Sequence, residues 1–256
     1  MTKILLSGCN GRMGRAISEM CKKSEDTVIT AGVDLFTEQH FGYPVYDSFS
    51  EATEDCDVVI DFSNPKTLPS LLEYCTSNKK PLVLCTTGLS DEDLSAVDRA
   101  SNVIPVFRSG NMSLGINVLM MLAKRATQVL GDEFDIEIIE QHHNQKLDAP
   151  SGTAIMLAEA VESAVSYEPR RVYERQSVRA KREKNEIGIH SVRGGTIVGE
   201  HEVIFAGENE TITLHHSAQS REVFAAGAIR AAIYLASVGG VGKYSMDDLI
   251  ATYVNI

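Results

Sequence analysis

The chain has 256 residues, 43% hydrophobic and 23% charged, enough apolar material for one large or two modest cores. Its 24 Lys and Arg against 35 Asp and Glu leave a formal charge of −11, which excludes a nucleic-acid binder as a whole. Five cysteines without CxxC spacing point to reduced thiols in a cytoplasmic protein, and the apolar runs are too short for a signal peptide or a membrane span.

Through the first 107 residues short apolar runs alternate with helical patterns. Strands are expected over 4–7, 28–34, 57–62, 81–86 and 103–107, and helices over 12–23, 66–77 and 91–100. That alternation predicts a parallel sheet with crossover helices. Asn64 and Pro65 read as the cap and first residue of one helix, and Ser90 precedes three acids at the start of another.

Between the first strand and helix lies Gly8-Cys9-Asn10-Gly11-Arg12-Met13-Gly14, a GxxGxxG variant of the dinucleotide fingerprint in the required strand–turn–helix context. Gly8 permits a tight turn, Gly11 lets backbone approach a pyrophosphate, and Gly14 lets the helix lie close to the sheet. Asp34, twenty residues past Gly14 and ending the second strand, is placed to accept hydrogen bonds from an adenosine ribose. An acid there repels a 2′-phosphate, so NADH is expected to serve at least as well as NADPH, with Arg12 the cation for a phosphate. Cys85, Thr86 and Thr87, and then Ser109, Gly110, Asn111 and Met112, end later strands at the crevice edge where a nicotinamide would lie. The fold class expected is α/β, a Rossmann-like domain over 1–112 completed by 221–256.

The pattern changes after Ser109. A helix over 113–130 closes at Gly131, and a strand over 135–140 and a helix over 152–164 follow. Strands over 187–192, 196–205 and 210–216, separated by Gly194-Gly195 and Gly207-Glu208-Asn209, predict an antiparallel meander with exposed edges. A helix over 221–237 carries Phe224, Ala228, Ala231, Ala232 and Leu235 on one side and is expected to pack on the first domain. Residues 113–220 thus form a mixed α+β domain. The basic run Arg170, Arg171, Arg175, Arg179, Lys181, Arg182 and Lys184 reads as a solvated arm or loop.

The chemistry concentrates in EQHHNQKLDAPSGT, residues 140–153. His142 and His143 begin a loop, and histidine is the side-chain type whose charge can change near neutral pH; a helical turn would put Lys146 on the same face as His142. Ser151 as N-cap leaves the Gly152 and Thr153 amides for a carboxylate, with the Thr153 hydroxyl as a further donor. A metal on His142, His143, His215 and His216 is disfavoured, because adjacent histidines rarely converge on one ion and no cysteine ligand is near. A nicotinamide reductase for a small amino or keto acid, or an NADH-binding sensor that uses the basic run to meet a partner, fit the same features.

GCNGRMG at 8–14, DFS at 61–63, TTG at 86–88, SGNMSLGINV at 109–118 and EQHHNQKLDAPSGTA at 140–154 resemble the 4-hydroxy-tetrahydrodipicolinate (dihydrodipicolinate) reductase family, over essentially the whole chain. The resemblance implies a dinucleotide-binding domain, a substrate domain that builds a homotetramer, an NADH or NADPH cofactor and a cyclic dicarboxylate substrate. It also implies His142 as proton donor and acceptor, Lys146 as second proton donor, and His143, Gly152 and Thr153 as substrate contacts. The cofactor residues it implies are those of the 8–13 loop, Asp34, 85–87 and 109–112. Cys85 departs from the Gly of many relatives, and Leu35 from an Arg suited to NADPH.

Overall fold

A computed structural model describes residues 1–253. In chain order the elements are β1 (Thr2–Ser7), α1 (Arg12–Lys22), β2 (Thr27–Val33), β3 (Val45–Tyr46), β4 (Val58–Asp61), α2 (Leu68–Ser77), β5 (Leu82–Leu84), α3 (Asp91–Ser101) and β6 (Pro105–Phe107). There follow α4 (Leu114–Leu130), β7 (Asp135–His142), α5 (Gly152–Glu162), β8 (Arg170–Val172), β9 (Glu186–Arg193), β10 (Glu200–Ala206), β11 (Thr211–Ser217), α6 (Glu222–Ser237), β12 (Gly242–Tyr244) and α7 (Met246–Ala251). They form two compact units: Met1–Ser113 together with the segment from Glu222 onward, and Leu114–Arg221. Among the described residues no helix is long and apolar enough to cross a membrane.

The first unit is built on a sheet of order β12-β6-β5-β4-β1-β2-β3, with every pair parallel. Its central strands are apolar without interruption because both faces are covered. Ile4, Leu6, Val58 and Ile60 face α1 and α6, whereas Leu5, Val59, Leu82 and Leu84 face α2 and α3. The order reverses beside β1, so the loops after β1, β2, β4 and β5 share one edge at the switch point. The short strands β3 and β12 and helix α7 are additions to the sequence reading. Asn64 caps a 3-10 turn, Pro65–Thr67, through a 3.0 Å bond from the Lys66 amide, and α2 starts only after that turn.

The second unit has a five-stranded sheet of order β11-β10-β7-β9-β8, with α4 and α5 on one face over Ile136, Ile138, Ile187, Ile189, Val203 and Phe205. It is not a meander. β7 lies between β9 and β10, parallel to the first and antiparallel to the second, so that only β10 and β11 form a hairpin. Gly194 and Gly195 mark a chain reversal, but a reversal does not specify a neighbour. A strand from more than 40 residues upstream fills the gap, and the sheet edges are β8 and β11.

The basic run is also not simply solvated. Arg170 reaches Glu186 at 2.7 Å, Arg171 holds Glu162 at 2.6 Å, and Arg175 bonds Glu137 at 2.9 Å. Arg182 donates to Asp135 at 2.9 Å and Glu137 at 3.0 Å. Clustered charge reads as solvated in one dimension; here carboxylates on β7, β9 and α5 lie opposite it.

Candidate active site

In the first unit, the turn from β1 into α1 is tight because its glycines leave no room for side chains. Gly8 has φ +75°, and a Cβ there would fall 2.5 Å from the Phe62 carbonyl oxygen. A Cβ on Gly14 would lie 2.2 Å from the Gly8 oxygen. Gly11, the N-cap residue of α1, offers no side-chain cap, and the first turn carries no acids, which leaves its amides and dipole for an anion. Asp34, just after β2, accepts from the Asn10 amide at 2.9 Å and the Phe36 amide at 3.1 Å. Asn10 in turn donates its side-chain amide to the carbonyls of Phe36 and Glu38, which joins the two loops.

The other nucleotide candidates sit along the same edge. Arg12 is exposed, and Met13 packs partly on the core. Cys9 turns its thiol into the core, where burial pushes it up to about 12, so only its backbone faces the loop. Asp61, 1% exposed at the end of β4, accepts from Ser63 Oγ and Thr86 Oγ1, each at 2.6 Å. The Thr86 hydroxyl is therefore engaged within the protein. The Cys85 amide donates to the Asp61 carbonyl at 2.9 Å, and Thr87 follows on the same turn. Ser109 Oγ bonds the Asn111 carbonyl at 3.0 Å, Gly110 lies between them, and Met112 packs beneath α6, where a Cβ on Gly227 would fall 1.6 Å from its carbonyl oxygen. Glycine cradle, uncapped helix start and strand-end acid fit a dinucleotide.

In the second unit β7 runs two residues beyond the sequence expectation, and its alternation puts Ile136, Ile138, Glu140 and His142 on one buried face. His142 is thus the last residue of a strand rather than the first of a loop. Its Nδ1 donates to Glu140 Oε2 at 2.5 Å, and Glu140 is fully buried. Arg193 grips both oxygens of Glu140, at 2.8 and 2.6 Å, and the Ser151 amide donates to Oε1 at 3.1 Å. Burial pushes Glu140 up, but Arg193 and the other donors outweigh it and hold the carboxyl at about 2. Burial lowers His142 and so favours the neutral imidazole, partly offset by Glu140.

Ser151 caps α5 as expected, its hydroxyl accepting from the Ala154 amide at 3.1 Å. The same hydroxyl bonds His201 Nε2 at 3.0 Å, and the His201 ring meets the His142 ring edge-on at 5.2 Å. Gly152 and Thr153 form the first turn of α5, and space opens beside Gly152. Residues 143–146 form a β-turn closed by the Lys146 amide on the His143 carbonyl at 3.1 Å, not a helical turn. Lys146 Nζ pairs with Asp148 at 2.9 Å, and its charge acts on His142. His143 Nε2 lies 3.5 Å from Arg221, a further cation at this loop.

The fold and these features define a nicotinamide-dinucleotide oxidoreductase. Residues 2–112 match the family described as dihydrodipicolinate reductase, N-terminus, and residues 115–250 match its C-terminus. A 4-hydroxy-tetrahydrodipicolinate reductase of Clostridium novyi is 50% identical over 250 residues, 98% of each chain. One from Caldanaerobacter subterraneus subsp. tengcongensis is 51% identical with the same coverage. The solved dipicolinate-bound dihydrodipicolinate reductase of Paenisporosarcina sp. TG-14 superposes with a TM-score of 0.80 at 25% identity, covering 96% of this chain and 97% of that one. The chain belongs to the dihydrodipicolinate reductase family.

Glu140, Arg193, His201 and Arg221 were not among the residues singled out from sequence. Glu140 was findable, since it stands two residues before His142 on a strand and so shares its face. Arg193 and His201 arrive from β9 and β10, which no local pattern joins to β7.

Proposed function

We propose that the chain reduces 4-hydroxy-tetrahydrodipicolinate to tetrahydrodipicolinate with loss of water, in lysine and diaminopimelate biosynthesis. What carries the reading is the buried Glu140, which ties a titratable imidazole and the capped start of α5 to one carboxylate. Acid and anion site are thereby held together, as a dicarboxylate that must be protonated requires.

In this reading His142 gives the proton that the reduced ring requires, and Lys146 assists departure of the 4-hydroxyl as water. His143, Gly152 and Thr153 hold substrate carboxylate, Gly152 through its first-turn amide. A nicotinamide dinucleotide supplies, when bound, the hydride. The first unit binds it through the 8–13 loop, Asp34, 85–87 and 109–112, with Thr86 contributing backbone. The dipicolinate held by the Paenisporosarcina enzyme, an aromatic dicarboxylate, supports a cyclic dicarboxylate here. In this reading Asp34 receives the adenosine ribose, and with exposed Leu35 and Phe36, not cations, beside it NADH serves at least as well as NADPH. Arg12 is the group that would admit a 2′-phosphate. The assembly is a homotetramer built by the second unit, and five free cysteines fit the reducing cytoplasm.

The test is oxidation of each cofactor with substrate made in situ from pyruvate and aspartate semialdehyde. His142→Gln lowers kcat by about a hundredfold to ten-thousandfold, whereas His143→Ala and Thr153→Val mainly raise KM. Absence of cofactor oxidation by the intact protein would favour a nucleotide-binding sensor, and wild-type turnover in His142→Gln would remove the acid from its role. Mass measurement in solution checks the tetramer.

A further inference from the structure

The geometry points to Glu140 as a positioning residue: we propose that it fixes His142 in the tautomer with hydrogen on Nδ1, so that Nε2 is the atom that takes up and delivers the proton. This rests on the reading of His142 as the acid, and goes beyond it in assigning how the ring is set.

Glu140 has no exposed surface: Arg193 Nη1 and His142 Nδ1 donate to Oε2, Arg193 Nη2 and the Ser151 amide donate to Oε1, and the Ser191 side chain on β9 is a further hydrogen-bond partner. An ionised carboxylate can only accept, so the hydrogen of the contact belongs to the imidazole. When neutral, the ring therefore presents a lone pair at Nε2. Gly199 makes room on that side, since a Cβ there would stand 3.0 Å from Nε2.

The other charged or titratable groups around His142 are Lys146 on the following turn, Arg193 on β9, His201 on β10 and, behind it, His216 on β11. Burial lowers both His201 and His216, so Glu140 is the anion that supports an imidazolium here. Arg193 is its counterpart: without that fork a carboxylate so deeply buried would take a proton and could no longer orient the ring. The Ser151 amide on the same carboxylate fixes where α5 begins relative to His142.

In Glu140→Gln the oxygen can remain toward the Ser151 amide and Arg193 Nη2, which turns the amide NH2 toward Nδ1. Nδ1 must then accept, and the neutral ring carries its hydrogen on Nε2, the wrong form for taking up a proton there. The expected result is a kcat lower by on the order of a hundredfold, with KM changed by less than about threefold, since uniform binding is untouched. The limb of the kcat/KM profile that reports His142 moves to lower pH, because the anion favouring its charged form is gone. Glu140→Asp, which keeps the charge, returns the limb toward its wild-type position.

Glu140→Gln combined with His142→Gln is expected to be no slower than His142→Gln alone, as for two groups acting as one unit. If Glu140→Gln fails to fold, Glu140→Gln with Arg193→Met removes both members of the ion pair and carries the same test. A Glu140→Gln enzyme with an unmoved limb and wild-type kcat, beside an inactive His142→Gln, would overturn the positioning role and leave the acid in place. A double variant much slower than His142→Gln would also overturn it. A fully active His142→Gln would sink both.

Discussion

Acidification should destabilise the second unit well above the pH at which its carboxylates protonate, and His201 is the reason. It is 4% exposed, its Nε2 has the Ser151 hydroxyl, and its Nδ1 has no partner. Burial first, and then the neighbouring His142, push it from 6.5 down to about 3. Its folded pKa is thus depressed, so between those values the unfolded chain binds a proton that the folded chain refuses. Stability is full above pH 6.5 and falls as pH drops through the window, by at most about 1.4 kcal/mol per pH unit for one group. Between pH 6.5 and 5 that amounts to about 2 kcal/mol. His142 and His216, also held low chiefly by burial, add loss of the same sign. Glu140, held at about 2, keeps its contribution until pH falls below the ordinary 4.5 of a glutamate, so it does not enter this range. The assay is urea unfolding followed by circular dichroism at several pH values from 7.5 to 5, at one protein concentration. His201→Gln should remove about 2 kcal/mol of the pH dependence seen in the wild type. Parallel curves for the two proteins would refute the assignment.

Gly14→Ala would put a Cβ 2.2 Å from the Gly8 oxygen and 2.5 Å from the Cys9 oxygen, both backbone atoms, so α1 must shift away from the cradle. Fluorescence titration should give NADH binding weaker by at least about tenfold, together with a stability loss of about 1–3 kcal/mol. Gly227→Ala offers a helix about 1 kcal/mol of propensity, yet its Cβ would fall 1.6 Å from the Met112 carbonyl oxygen. Thermal melting should show net destabilisation, and a raised Tm would count against this packing. Arg182→Ala leaves Asp135 and Glu137 and the carbonyls of Ile136 and Glu186 without its guanidinium. A loss of about 2–3 kcal/mol is expected for this partly buried cluster, with faster tryptic cleavage at Arg179 and Lys181; unchanged proteolysis would show that the clasp does not hold the segment.

The nucleotide half was legible because its signals are local. Strand, glycine turn and helix follow one another within fourteen residues, and Asp34 stands where the next strand must end. The buried face of β4 and β5 could be read from uninterrupted apolar residues for the same reason. The second unit resisted where its structure is non-local. Gly194 and Gly195 announce a turn, but the insertion of β7 between β9 and β10 depends on pairing across more than 40 residues, which no dipeptide encodes. The arginines of 170–184 are likewise indistinguishable in sequence from a solvated run, because their partners Glu137 and Asp135 lie on a distant strand. His142 was recognised as a residue but not as part of a strand. Extending the alternation past Glu140 makes both side chains face the core together, and only then does a buried acid come to support it.

That placement bears on how an acid can be available without being charged in the resting protein. Burial, Lys146 and Arg193 oppose a proton on His142, while Glu140 favours one. On the proposed reading a nearby dicarboxylate shifts that balance toward the charged form. Two negative charges brought to the Gly152 and Thr153 turn would raise the imidazole pKa in the same sense as Glu140 does, the more strongly the less water remains. His142 would then gain its proton when there is substrate to receive it. The fixed tautomer leaves Nε2, the nitrogen beside Gly199, as the atom that takes it.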